Sequence, residues 1–210
     1  MGQAKLRRAA LETAIPPLET QQRVHDAVMK TLTALDFPGV NDCLYHASAT
    51  AGALRAFGLS AELEVGAAWW AVGPDGADTI CHGFDAAGKM VADQYRAAVK
   101  GLVHVHSWAA YSVHGVRYVV DMTTYQIPEK ARLMSEADGL PLRVTIPVAP
   151  FYWGRMPPQK AMTDAKPGEW SYWPVPNLAR SFMENKTVQM VGDVAAISFM
   201  SPAMTLVGVD

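Results

Sequence analysis

Two β-prone runs, residues 102–112 and 116–123, flank the dipeptide His114-Gly115. A two-residue turn fixes strand pairing residue by residue, so it constrains the fold more than any other local signal here. Glycine takes positive φ without steric penalty, and a two-residue turn of that hand matches strand twist, although His-Gly is a weaker signal than Asn-Gly. Pairing Val113 with Val116 sets Trp108 opposite Asp121 and His106 opposite Thr123, all four on one face. Asp121 is then the diagonal neighbour of His106, about 7 Å away between backbones and within reach of a carboxylate–imidazole hydrogen bond.

A helix over about 42–57 supplies the third group. Asn41 or Asp42 is placed to cap it, Leu44, Ala47, Ala51 and Leu54 repeat at helical spacing, and Gly58 stands at the stop. Its small residues, from Ala47 to Ala53, allow close approach of neighbouring elements, as in a central helix. Cys43 sits in the first turn, where unpaired N–H groups and the positive end of the helix dipole favour a thiolate. The same N–H groups suit an oxyanion beside the sulfur. A thiol, an imidazole to deprotonate it and a carboxylate to orient the imidazole are the parts of a nucleophilic acyl-transfer site.

Helices are also predicted over residues 3–14, 18–35, 128–138 and 177–185. Strands are predicted over 61–72, 79–84 and 141–148, with one or two more in 187–209. Val24, Val28, Leu32 and Leu35 make one apolar stripe of the second helix. The Pro- and aromatic-rich segment 147–176 reads as an ordered loop packed on the body, either a lid over the site or a static loop. The chain reads as one domain, 1–210, with N-terminal helices in 1–39. The fold class is α+β, with the nucleophile helix packed on an antiparallel sheet.

Asp42-Cys43 with its small-residue helix, running on into Leu54-Arg55-Ala56-Phe57-Gly58-Leu59-Ser60-Ala61, resembles the nucleophile segment of bacterial transglutaminase-like proteins. His106-Ser107-Trp108, a hairpin, then Tyr118-Val119-Val120-Asp121-Met122-Thr123 resembles their histidine and aspartate segments. The resemblance covers roughly residues 40–125. It implies a transglutaminase-like (papain-like) fold, with Cys43 as nucleophile, His106 as general base then acid, and Asp121 as orienting carboxylate. The superfamily includes peptidases, amidases, acyltransferases and cross-linking enzymes, so the resemblance implies a mechanism more firmly than a substrate.

The alternatives are a non-catalytic module binding a peptide or small molecule, and a metal site. His104 and His106 alternate on one strand face, a spacing that metal ligands also use. Trp108 can shield the site or serve as plain core, and Asn41 is the nearest candidate for a second oxyanion donor. His46, one turn after Cys43, reads as a surface or partly buried histidine. His82 and His114 read as loop or turn residues, His25 as a helix-surface residue, and Cys81 as a structural cysteine. No organic cofactor or metal is implied by the triad reading.

Formal charge is −2 and no Lys/Arg stripe stands out, which argues against nucleic acid as partner. Two cysteines make no disulfide framework, and a free thiol suits a reducing cytosol. No signal peptide and no membrane span is read, so the expectation is a cytoplasmic chain acting on a peptide, amide or acyl substrate.

Overall fold

The structure is a computed structural model that describes residues 14–37, 42–74, 78–84, 88–92, 105–139 and 141–201. Among these, six strands form one antiparallel sheet: β1 (Glu62–Ala71), β2 (Thr79–His82), β3 (His106–Val113), β4 (Val116–Asp121), β5 (Tyr152–Arg155) and β6 (Trp170–Pro174). They run in the order β2-β1-β3-β4-β5, and β6 pairs with β1. The β3–β4 hairpin has the register its turn requires, with Val113 opposite Val116 and Ala109 opposite Val120. His114 and Gly115 hold φ of 51° and 76°, the left-handed pair that a two-residue turn needs.

Five helices accompany the sheet among the described residues: α1 (Leu18–Ala34), α2 (Cys43–Phe57), α3 (Ile127–Asp138), α4 (Pro176–Met183) and α5 (Lys186–Met200). Helix α2 begins at Cys43 and ends at Gly58, whose φ of 110° lets its N–H reach back to Leu54 and Arg55. Asp42 occupies the N-cap position, but its side chain makes no capping hydrogen bond.

Each face of the sheet buries its own core. Ala109, Tyr111, Tyr118 and Val120 pack with α1, α2 and α5, through Val24, Val28, Leu32, Ala49, Leu54 and Val191. The opposite face carries Ala68, Trp70, Trp108, Ala110, Val119 and Tyr172, against Ile127 and Ala131 of α3. The alternation of side chains along each strand produces this split. Of the predicted stripe, Val24, Val28 and Leu32 are fully buried in α1, while Leu35 follows the end of the helix and is partly buried against the same core.

Three readings need correction. The strands expected in 187–209 are helix α5 through Met200. Its buried Val188, Val191, Gly192, Ala195 and Phe199 recur at three- and four-residue steps, and Asn185 caps its start by accepting from Thr187 and Val188 N–H. That helical spacing outweighs the valines' strand preference. No strand forms over 141–148. The segment 147–176, read as a loop, contains β5 and β6. The helix expected over 3–14 falls, apart from Ala14, outside the described residues. Among the described residues no helix is long and apolar enough to cross a membrane.

Candidate active site

Strand registers gather one polar cluster on the α3-facing side of the sheet. Gly66 of β1 lies opposite His106, and Ala68 lies opposite both His82 of β2 and Tyr172 of β6. His82, Trp70, Tyr172, His106, Trp108 and Asp121 therefore converge from five strands. Cys43 reaches them from the start of α2, where its sulfur lies 3.9 Å from the carbonyl oxygen of Val105, the residue leading into β3.

His106 Nε2 and Asp121 Oδ2 are 2.8 Å apart, the diagonal contact set by the hairpin. Both side chains are buried. Three further hydrogen bonds fill the carboxylate. Tyr172 Oη donates to Oδ2 at 2.9 Å. Thr123 donates to Oδ1 twice, from its N–H at 2.9 Å and its hydroxyl at 2.7 Å. Burial alone would push Asp121 up. The His106 charge and hydrogen bond, joined by those of Thr123, instead hold it well below the ordinary carboxylate range.

With Nε2 taken by Asp121, Nδ1 is the ring atom left for the Cys43 sulfur. Nδ1 is buried and has no hydrogen-bond partner, and the sulfur and the ring shift each other's ionisation. Burial pushes the Cys43 thiol up, but the neighbouring His106 ring and its charge, the Lys130 charge and the Ser107 backbone bring it below the ordinary thiol value. Burial pushes His106 down, and the Asp121 charge and hydrogen bond, with Cys43, carry it above the ordinary imidazole value. These opposed shifts favour a thiolate–imidazolium pair. Cys43 as a whole residue is half-buried.

Aromatic rings wall the imidazole. Trp70 meets it edge-on at 4.9 Å between centroids, while His82 and Trp108 stack at 5.5 Å and 5.9 Å. Trp108 is held by its indole N–H, which donates to Glu64 Oε2 at 2.6 Å. Trp70 and Tyr172 also line an apolar cavity of about 130 Å³, closed further by Ile127, Val148, Phe151 and Trp170. Trp69, on the other face of β1, donates to the Lys160 carbonyl and takes no part.

Of the predicted site residues, Cys43, His106, Asp121 and Trp108 come together, and Asp42 flanks the helix start. Asn41 and His104 lie outside the described residues, so the second oxyanion donor and the His104–His106 metal pair do too. Among the described residues no group of three or more His, Cys, Asp or Glu is arranged to hold a metal ion. His46 is buried rather than superficial, bonded to the Asp42 carbonyl at 3.0 Å and to Tyr125 Oη at 3.2 Å. Burial lowers its pKa. His82 belongs to a strand, not a loop. His25 is a partly buried helix residue against Phe151, and Cys81 stands in β2 opposite Trp69. Sequence reasoning missed Tyr172, Trp70 and Lys130 as neighbours of the site. The alternation in Trp170-Ser171-Tyr172-Trp173 was the available signal for Tyr172.

No family model matches the chain, and no curated protein matches it. A solved crystal structure of a genomics target is similar over 87% of this chain and 78% of its own, with 16% identity and a TM-score of 0.48.

Proposed function

We propose that this chain is a thiol-dependent acyl-transfer enzyme of transglutaminase-like (papain-like) fold, working as a peptidase or amidase. The observation that carries the reading is the placement of Cys43, at a helix start and beside a buried His106 already bonded to Asp121. The Cys43 thiolate adds to the acyl carbon. As the carbon–nitrogen bond breaks, the His106 proton goes to the departing amine and a thioester remains. Water then gives a proton back to His106, attacks the thioester and releases the acid with the thiolate restored. Transfer to an amine differs only in the second nucleophile, so hydrolysis, which needs only water, ranks first. Backbone N–H groups of the first turn of α2 are the donors nearest the developing oxyanion. A reduced, reactive thiol suits a cytoplasmic setting.

The test is stoichiometric iodoacetamide followed by peptide mapping. Cys43 is expected to label well before Cys81, and His106→Ala to slow Cys43 alone. Equal, slow labelling of both cysteines would overturn the reading.

A further inference from the structure

Glu64 stands on β1 opposite Trp108 of β3, and two residues further along β1 Gly66 stands opposite His106. The Glu64 side chain is 15% exposed, and both of its carboxylate oxygens are taken. Oε1 accepts from Arg117 Nε at 3.2 Å and from Arg117 Nη2 at 2.6 Å. Oε2 accepts the Trp108 indole N–H at 2.6 Å. Arg117 comes from β4 and also pairs with Glu62. A line of side chains, Arg117–Glu64–Trp108, thus spans three strands and ends at the imidazole.

Trp108 is fully buried, so its N–H needs an acceptor inside the protein, and Glu64 supplies one. The rotamer that aims the N–H at Glu64 also stacks the indole on the His106 ring, 5.9 Å between centroids and 27° between planes. A cation within about 6 Å of an indole face is attracted to it. The indole therefore favours the charged form of His106. The other titratable groups about that ring are Asp121 of β4 on Nε2, His82 of β2 stacked at 5.5 Å, Tyr172 of β6 at 6.2 Å and Cys43 of α2. From α3, Lys130 lies over Trp70, the ring that meets His106 edge-on. Nε2 of His106 is bonded to Asp121 and Nδ1 has no partner, so Glu64 makes no hydrogen bond to the imidazole. Its influence there passes through the indole or through space.

We propose that Glu64 is a positioning residue: held by Arg117, it fixes the Trp108 N–H and so keeps the indole face against the His106 imidazolium. Its consequence for catalysis rests on the thiol acyl-transfer reading, and the test separates the two.

The test is the titration of His106 in the full chain, followed by NMR of its imidazole C–H groups, beside iodoacetamide labelling of Cys43 across pH. Glu64→Gln keeps the size but has one oxygen to share between Arg117 and the indole. Trp108→Phe keeps an aromatic ring and removes the N–H. Each is expected to lower the His106 pKa by about 0.4 to 1.5 units, the span of cation–π attraction from exposed to desolvated sites. The Cys43 labelling step should move to higher pH with it. The double variant should go no further than Trp108→Phe alone. An unmoved titration in Glu64→Gln would overturn the positioning role. So would a Glu64→Gln shift of equal size with Trp108 or Phe at position 108, which would mean that the carboxylate acts through space. Should Glu64→Gln not fold, Trp108→Phe decides alone, because it leaves the Glu64–Arg117 pair intact, and an unmoved titration there overturns the proposal. The expected shifts, with Cys43 labelling as slowly as Cys81 in every variant, would keep the Glu64 role and remove the acyl-transfer reading.

Discussion

His106 Nε2 stands 2.8 Å from Asp121 Oδ2, and neither group is accessible to solvent. The carboxylate is what raises the imidazole pKa against the effect of burial. Asp121→Asn preserves the shape and removes the charge. Burial then dominates at His106, its pKa falls, and Cys43 loses its imidazolium partner. Alkylation of Cys43 by iodoacetamide at pH 7 is expected to drop about tenfold to a thousandfold, matching one to three pK units of lost charge pairing. Second-order labelling rates measure this, and a rate equal to wild type would detach Asp121 from the thiol.

The opposed shifts of Cys43 and His106 predict the pH profile. The thiol ionises below its ordinary value of about 8.5 and the imidazolium persists above about 6.5. Alkylation should therefore rise with pH through a step below the usual thiol range. On the proposed mechanism acyl transfer needs the His106 proton, so it should fall again as pH rises through the raised imidazole pKa. Stability follows the same groups with opposite signs. The raised His106 contributes fully below about pH 6.5 and loses its share as pH climbs through the folded value. The lowered Asp121 contributes fully above about pH 4 and loses its share as pH falls. The advantage of wild type over Asp121→Asn in melting temperature should be greatest between those limits. A lone alkylation step near the ordinary thiol value would contradict the paired assignment.

What the sequence disclosed about this site was its local part. Turn chemistry at His114-Gly115 gave the β3–β4 register, and with it the diagonal contact of His106 and Asp121. Helical spacing and Gly58 gave α2, and so the position of Cys43. The wall of the site depends on pairings between distant segments. Tyr172 belongs to the cluster because β6 lies against β1, opposite Ala68. Pro174 and Pro176 punctuate that region like a loop, although Pro174 ends the strand where a missing N–H is tolerated. Lys130 was equally hidden, since a lysine on a short helix reads as solvated until the sheet beneath it is known.

Tyr172 shares Oδ2 of Asp121 with His106. Tyr172→Phe removes one donor and leaves the ring contact with Trp108, at 4.9 Å, in place. Stability should fall by about 1.5–3 kcal/mol, the worth of a hydrogen bond to a charged group. The carboxylate, less neutralised, should hold the imidazolium more strongly and move the alkaline limit of acyl transfer to higher pH. Chemical denaturation and a pH–rate profile read the two effects separately. A stability loss with an unmoved profile would make Tyr172 structural only.

Helix α2 is positioned from behind by a backbone contact. A Cβ at Gly52 of α2 would lie 1.9 Å from the Gly192 carbonyl oxygen of α5. Both partners are helical backbone, so no side-chain rotation relieves the clash and the helices must part. Gly52→Ala should cost about 3 kcal/mol despite the better helix propensity of alanine. In a domain of this size that is a fall of about 6–12 °C in melting temperature. Because α2 carries Cys43 at its start, the displaced helix should also loosen the sulfur from His106 and slow iodoacetamide labelling. Calorimetry and labelling on the same sample test both consequences. A lower melting temperature with wild-type labelling would mean that α2 yields at its middle while its first turn stays fixed against Val105. Wild-type values of both would mean that the Gly52–Gly192 crossing is not the constraint that seats Cys43.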